Sequence, residues 1–206
     1  MKTRILFCVV STLSLSVWFG CSHGPAPLDQ PKVDASEAGR LAVEQYDSKK
    51  TGKISGPDLD ACPSIKSIAD QLAGASGGGI TADMIAARIR QWQDMPLARL
   101  TPFFHVTHNG APLAKAVVTL VPEKFLGPSM KPGTGTADDS GNAMPSVPSE
   151  GTNDFGGMPC GFYRVEITKP GENIPATYNT ATTLGVEISL DKVRGQPLQF
   201  EYDLKY

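Results

Sequence analysis

Two histidines, His105 and His108, have the side chains best suited to bind a metal or to carry a proton near neutral pH. They lie three residues apart in a segment of alternating apolar character, which predicts an extended strand. Side chains at an odd spacing point to opposite faces of a strand. The two imidazoles therefore do not converge on one metal ion unless a turn brings them together, and we expect ordinary surface or turn histidines.

A second group of polar side chains could supply oxygen atoms to a cation: Asp138, Asp139, Ser140 and Asn142. The run Asp-Asp-Ser-Gly is also a typical turn sequence, because short polar side chains bond to their own backbone. We predict a turn here. The sequence has neither a Gly-x-Ser-x-Gly nucleophile elbow nor a phosphate-binding glycine loop followed by lysine.

The cysteines give no zinc pattern, since no Cys-x-x-Cys or closely spaced Cys/His set is present. Cys8 and Cys21 belong to the N-terminal segment. Cys62 and Cys160 lie nearly a hundred residues apart. Export would permit a disulfide between them, but spacing alone does not show that they meet. A disulfide and two separate thiols both stay open.

The N-terminus has the pattern of an export signal over residues 1–20. Lys2 and Arg4 precede an apolar run from Ile5 to Phe19, and Cys21 follows. This resembles a bacterial lipoprotein signal, which implies that Cys21 is lipidated and anchors the chain to a membrane. Cleavage by the ordinary signal peptidase and an uncleaved anchor are the alternatives. All three place the folded part outside the cytoplasm, in the cell envelope or the extracellular space.

The charge balance argues against nucleic acid as a partner. The formal charge is -2 for the whole chain, and loss of two cations with the signal makes it -4. A mildly acidic chain has no basic stripe that would bind phosphates. The overall composition, 40% hydrophobic and 19% charged, is ordinary for a globular protein of one domain or two small ones.

Residues 21–35 are rich in proline and polar residues and read as a tether. Helical periodicity follows, with Ser36 as a possible N-cap of the first helix and Thr81 of the last. In that last helix, Ile85, Ile89 and Trp92 share one face. An apolar stripe from Leu59 to Leu72 is interrupted by Pro63, which predicts a break near that proline. We therefore predict a compact helical domain over residues 36–98.

The segment between the first two predicted helices, residues 47–58, resembles an EF-hand loop, with Asp47 first and Gly52 at the turn. Residues 73–84 resemble a second loop, in which Ile80 would pair with Ile54. The resemblance implies a calcium site whose ligands would be Asp47, Thr51, the Lys53 carbonyl, Ser55 and Asp58.

The first loop departs from the family pattern in its ligands. Lys49 stands at the third position, where an oxygen ligand normally lies, and Asp58 is one methylene shorter than the usual glutamate. The second loop has no acidic residue among its ligand positions. We therefore expect an EF-hand-like helix pair that serves packing, no resident cofactor, and calcium binding at the first loop as an alternative.

From Thr101 the periodicity changes from helical to alternating. The strongest local signal is residues 103–121, which predict a hairpin of two strands around Asn109-Gly110. The predicted strands are residues 103–107, 115–121, 133–137, 142–147, 162–168, 184–190 and 198–204. Seven short strands with frequent turn signals predict an antiparallel β-sandwich.

Four segments of residues 101–206 resemble the carboxypeptidase regulatory-like, or transthyretin-like, domains of bacterial exported proteins. These segments are residues 108–122, 135–142, 161–169 and 174–180. Enzymes related to this fold carry motifs that this sequence lacks: it ends Tyr202-Asp-Leu-Lys-Tyr206 rather than Tyr-Arg-Gly-Ser, and contains no His-x-His or His-x-x-Glu. The resemblance implies a non-catalytic accessory domain of this family.

The sequence thus predicts a two-domain α+β protein: a small EF-hand-like helical domain followed by an antiparallel seven-strand β-sandwich. We expect a non-catalytic lipoprotein that acts as an interaction or structural module, bound to the membrane through Cys21 and to an unidentified protein or glycan. A calcium-responsive binding protein is the alternative, and a hydrolase on the transthyretin-like fold a remote one.

Overall fold

A computed structural model describes residues 30–74, 77–96, 99–148, 156–193 and 197–206. The predicted signal peptide and Cys21 lie outside these ranges. The fold is α+β: helices come first in the chain, and most strands follow them. We refer to residues 35–93 as the helical unit and to residues 100–206 as the β unit. None of the helices in the described part has the length and apolar character that a membrane crossing requires.

Two antiparallel helices of equal length form the centre of the helical unit. Helix α1 (Ala35–Tyr46) is capped by Asp34, whose Oδ1 accepts hydrogen bonds from two first-turn amides, so the expectation of Ser36 as N-cap was wrong. Helix α5 (Ala82–Gln93) is capped by Thr81, as predicted. Gly39 lets the helices approach closely, since a Cβ there would lie 2.2 Å from the carbonyl oxygen of Ala82.

Three short helices connect this pair: α2 (Pro57–Asp60), α3 (Pro63–Lys66) and α4 (Ala69–Ala73). The predicted break at Pro63 is confirmed, because proline has no amide hydrogen and begins a new helix at its first position. Strands β1 (Lys53–Ile54) and β2 (Ile80–Thr81) pair antiparallel. The expected pairing of Ile54 with Ile80 is present.

The β unit contains two four-stranded sheets. The first sheet consists of β10 (Gln199–Leu204), β3 (Phe103–His108) and β4 (Ala111–Pro112), with β7 (Asn142–Ala143) also paired to β3. The second sheet has the order β6 (Gly133–Thr136), β5 (Val117–Pro122), β8 (Gly161–Thr168), β9 (Gly185–Ile188), all antiparallel. Both sheets contribute side chains to one hydrophobic core, including Phe104, Val106, Val165 and Ile167.

Three sequence predictions about the sheets need correction. Across Asn109-Gly110, β3 pairs only with the two-residue β4, while residues 117–122 belong to the other sheet. The chain leaves the hairpin near Lys115, which has a positive φ of 63°. Strand β10 pairs parallel, not antiparallel, with β3. The predicted strand 142–147 is shorter, with an isolated bridge at Ser146.

The helical unit covers the outer face of the second sheet at its β8 and β9 edge. Trp92 of α5 contacts Phe162 of β8 with ring centroids 4.7 Å apart. Gly185 of β9 faces the start of α3, where a Cβ would lie 2.2 Å from the Ser64 amide nitrogen. The two units therefore share an interface with close backbone approach.

Residues 30–34 lie on the folded body, although the sequence predicted them to be part of the tether. The hydroxyl of Ser129 donates to the carbonyl oxygen of Lys32 at 2.8 Å, and Nε2 of Gln93 donates to that of Val33 at 2.7 Å. These donors come from the β unit and the helical unit respectively. The remainder of the predicted tether lies outside the described residues.

Candidate functional site

The two histidines occupy separate places on the first sheet. His105 lies 2.9 Å from Asn142, measured from ring Nδ1 to Oδ1. His108 stacks on the ring of Tyr206, with centroids 4.0 Å apart, and its Nε2 lies 3.0 Å from the carbonyl oxygen of that residue. The structure does not bring the imidazoles together on one site. Asp138 caps the predicted turn by accepting two backbone amide hydrogens.

The two cysteines of the folded body are free thiols. Cys62 is buried, and burial together with the nearby carboxylate of Glu123 raises the pKa of its thiol to about 12. Cys160 is partly exposed, and burial raises the pKa of its thiol to about 11. Neither thiol is therefore a ready nucleophile at neutral pH, because the thiolate is the reactive form.

Three of the five predicted calcium ligands come together in the loop that follows α1. The hydroxyl of Thr51 lies 3.2 Å from Oδ1 of Asp47 and 3.1 Å from the Lys53 carbonyl oxygen. The other two make different contacts: Asp58 accepts a hydrogen bond from the Ser48 hydroxyl at 2.6 Å, and Ser55 accepts the amide hydrogen of Asp58 through its backbone carbonyl.

The loop's own amides bind the carboxylate of Asp47. Its Oδ2 accepts hydrogen bonds from the backbone of Gly52 at 2.6 Å and of Lys53 at 3.3 Å. Burial raises the pKa of Asp47, but the hydrogen bonds from residues 51–53 outweigh it and hold that pKa below its usual value. Within the described ranges, no three His, Cys, Asp or Glu side chains gather into a metal site. The Asp47 carboxylate is thus surrounded by hydrogen-bond donors from the loop itself.

A buried network of charged side chains lies between the two units. Arg88, on α5, is 4% exposed and faces Glu187, on β9, which is fully buried. Nε and Nη2 of Arg88 donate to the two oxygens of Glu187 at 2.5 and 3.0 Å. Nη1 and Nη2 also donate to the two oxygens of Asp191 at 2.7 and 2.9 Å. The guanidinium thus holds two carboxylates bidentately, the geometry in which arginine bonds most strongly.

Two further donors complete the environment of Glu187. The indole Nε1 of Trp92 donates at 3.0 Å, and Nζ of Lys192 lies 3.0 Å from the other oxygen. Burial alone would lower the pKa of Arg88, but its bonds to Glu187 and Asp191 outweigh burial and raise it. The same bonds lower the pKa of Asp191. Arg88 and Asp191 therefore stay ionised near neutral pH.

A second buried carboxylate, Glu123, follows β5 and is 1% exposed. It accepts hydrogen bonds from the Tyr46 hydroxyl at 2.8 Å and from the Ser64 hydroxyl at 2.7 Å. The Cys62 thiol lies 3.8 Å away. These three donors belong to the helical unit, so the β unit supplies a carboxylate and the helical unit supplies its partners.

The Arg88 cluster borders an open cleft of 490 Å³ between α4, α5 and the turn at residues 190–192. Gln71, Met84, Gln91 and Asp191 also line this cleft. All three guanidinium nitrogens of Arg88 already donate to protein acceptors, because Nη1 also bonds to Gln91 at 2.9 Å. These bonds join α5 of the helical unit to Glu187 and Asp191 of the β unit.

The sequence did not predict that Arg88, Glu187 and Glu123 are buried and hydrogen-bonded between the two units. A signal existed for Arg88, which lies within the apolar stripe of Ile85, Ile89 and Trp92 and is buried with it. Glu187 alternates with Val186 and Ile188, so its sequence pattern indicates a solvent-facing side chain. Only the packing of the helical unit on that face buries it.

Comparison of the chain with known proteins finds no matching family model, no similar curated protein and no similar solved structure.

Proposed function

We propose that this protein is an exported lipoprotein, held to a membrane by acylated Cys21, whose folded body is a non-catalytic interaction or structural module of the cell envelope. The observation that carries the proposal is the N-terminal sequence. Lys2 and Arg4, an apolar run and then Cys21 form the pattern of a lipoprotein signal. The partner of the body would be a protein or a glycan.

The use of the buried polar groups supports a non-catalytic body. A catalytic acid, base or nucleophile must reach a substrate within hydrogen-bond distance. Arg88, Glu187 and Glu123 instead bond to groups across the interface of the two units. The thiol pKa values of Cys62 and Cys160 lie well above neutral pH. The buried polar groups thus join the two units, and recognition is left to the surface of the body.

The two family resemblances belong to the same proposal. An EF-hand-like origin of residues 36–98 is supported by the β1–β2 pairing of Ile54 with Ile80 and by the loop that encloses Asp47. A transthyretin-like sandwich over residues 101–206 is supported by two sheets that share one core. The parallel β10–β3 pair is a departure from the purely antiparallel arrangement that the sequence predicted.

Intact-mass measurement of the mature chain from a bacterial host tests the anchor. We expect the full chain to be cleaved before Cys21 and to carry the mass of a diacylglyceryl group. The Cys21→Ser variant should lack that mass and should not partition into detergent. A wild-type chain that is unmodified, or that keeps its first 20 residues, would overturn the lipoprotein assignment.

Turnover assays test the non-catalytic part of the proposal. Residues 22–206 would be incubated with small ester and peptide substrates. We expect no turnover above background. Turnover that is abolished by a single substitution, in a variant whose unfolding midpoint is unchanged, would overturn this part. Capture of partners from the envelope fraction, with and without calcium, would then identify what the module binds.

A calcium-responsive protein is the second candidate, and the convergence of Asp47, Thr51 and the Lys53 carbonyl favours it. A ligand that binds only the folded state at 100 times its Kd stabilises that state by about 2.7 kcal/mol. For a chain of this size, this would raise Tm by about 5–11 °C. Asp47→Asn should abolish the shift. A wild-type Tm that is the same in millimolar calcium and in chelator would dispose of this candidate.

A further inference from the structure

The first described residues, 30–34, are hydrogen-bonded to both the helical unit and the β unit. We call residues 30–34 the strap. Its carbonyls accept hydrogen bonds from both units, as described above, and Nε2 of Gln30 donates to the Met95 carbonyl oxygen at 3.1 Å. Pro31 lines a small cavity together with Trp92 and Met130. The strap is therefore part of the folded body at one defined place on its surface.

The distance from the predicted anchor to the strap is short. Nine residue steps separate Cys21 from Gln30. A fully extended chain spans at most about 3.3–3.6 Å per residue, so this segment reaches no more than about 30 Å.

The strap lies at one end of the β unit. Strand β8 begins there, since a Cβ on Gly161 would lie 2.6 Å from the Met130 side chain. The strand ends at Thr168, about 23 Å away at the usual rise per residue. The opposite end carries the Asn109-Gly110 turn and Tyr206, whose hydroxyl bonds to Glu172 just beyond β8.

The tether is short compared with the path round the folded body from one end of β8 to the other. A compact chain of this length has a radius of gyration of about 16 Å, which corresponds to a sphere of radius about 21 Å and a half-circumference of about 65 Å. A tether that reaches about 30 Å cannot pass round the body to its opposite end. Lys32 of the strap and Lys131 next to Met130 are exposed, and so is Asp34 of the strap, so the length of the tether rather than the local charge decides the orientation.

We propose that the strap turns the Met130 end of the body toward the lipid surface and presents the Asn109-Gly110 end to the exterior. This inference rests on the proposed anchor at Cys21. It assigns a lipid surface as the neighbour of the strap face, and it places any soluble partner at or near the far end of the β unit.

Energy transfer from Trp92 to a dansyl-labelled lipid tests the orientation. Trp92 is the only tryptophan that remains once the signal is removed, and it lines the cavity beside the strap. Residues 21–206 with Cys160→Ser would be coupled through the Cys21 thiol to vesicles that carry maleimide headgroups. Cys62 is buried and does not compete for the maleimide.

The matched control attaches the same body by its far end. It carries Cys21→Ser, Cys160→Ser and Lys205→Cys, and the side chain of Lys205 is 62% exposed. Since the two ends lie about 23 Å apart, transfer should be at least about twofold more efficient for attachment through Cys21. Equal transfer from the two attachments would overturn the proposal.

A longer tether gives a second test. Insertion of about 20 glycine and serine residues after Gly24 raises the maximum reach of the segment to about 100 Å, which exceeds the half-circumference of the body and removes the restraint, so transfer should fall. Unchanged transfer would also overturn the proposal. Coupling to the vesicles is chemical, so the outcome is independent of acylation in the cell, which the intact-mass measurement decides separately.

Discussion

Replacement of Arg88 by methionine tests whether its pairing with Glu187 fastens the helical unit to the β unit. Methionine keeps a long apolar stem and a good helix propensity, so α5 itself should persist. The substitution removes two of the four hydrogen-bonding partners around the fully buried Glu187 carboxylate, namely Nε and Nη2 of the arginine. Trp92 and Lys192 remain as its donors.

The expected magnitude follows from the burial of the pair. Removal of one partner of a buried ion pair destabilises a protein by about 3–5 kcal/mol, because the other charge is left uncompensated. Lys192 stays 3.0 Å from Glu187, so we expect about 3 kcal/mol for Arg88→Met. The double variant Arg88→Met, Glu187→Met removes both charges. It should cost only about 1–3 kcal/mol, chiefly because the Trp92 indole loses its acceptor.

Urea unfolding of residues 22–206, followed by Trp92 fluorescence, measures these differences. A loss of about 3 kcal/mol corresponds to a Tm about 6–12 °C lower for a chain of this size. Arg40→Met is the control, since Arg40 is 57% exposed in its pairs with Glu37 and Glu44 and should leave the midpoint unchanged. The reasoning is refuted if Arg88→Met costs less than about 1 kcal/mol, or if the double variant is less stable than the single one.

Three more predictions concern other parts of the fold. Hydrogen bonds from Lys205, the Gly110 amide and the Thr107 hydroxyl lower the pKa of Asp203 to about 2, below the unfolded value of about 3.9. Its stabilising effect is therefore present above about pH 4 and is lost as the pH falls toward 2. Asp203→Asn should therefore flatten the pH dependence of the urea midpoint in this window, and an unchanged slope would contradict it. Cys160 should react with iodoacetamide slowly at pH 8 and faster as the pH approaches about 11, because burial raises its thiol pKa; fast alkylation at pH 8, followed by peptide mass, would show otherwise. Gly185→Ala should lower the free energy of unfolding by about 1–3 kcal/mol, because its Cβ would lie 2.2 Å from the Ser64 nitrogen, and a wild-type urea midpoint would exclude the close approach.

Local elements were largely predictable from the sequence because they depend on neighbouring residues. The stripe of Ile85, Ile89 and Trp92 and the cap at Thr81 predicted α5, and the structure confirms both. Alternation of apolar residues located the strands within a few residues of their observed bounds, apart from the shortened strand at residue 142. Periodicity reports which face of an element is buried, and this requires no knowledge of its partner.

Long-range contacts were not predictable in this way. The parallel pairing of β10 with β3 joins residues nearly a hundred positions apart, and no local pattern determines strand direction. Glu187 alternates with apolar neighbours as an exposed residue does, and Glu123 lies outside any periodic segment. Their burial follows from the docking of one unit on another. The candidate loop was recognised by its spacing, but which of its oxygens converge depended on the backbone path, which turned Asp58 toward Ser48.

The contacts of Glu123 and Glu187 limit how the two units can be separated by recombination. Both carboxylates lie in the β unit, while Tyr46, Ser64 and Arg88, which donate to them, lie in the helical unit. A recombination event that transferred residues 100–206 alone would expose a face carrying two acids that no longer have these partners. Water would solvate these two carboxylates, but Phe162, which packs against Trp92 and pairs with Glu187 across the strands, would be left uncovered on the same face. Separate inheritance of the β unit would therefore first require polar residues in place of the apolar residues that the helical unit covers.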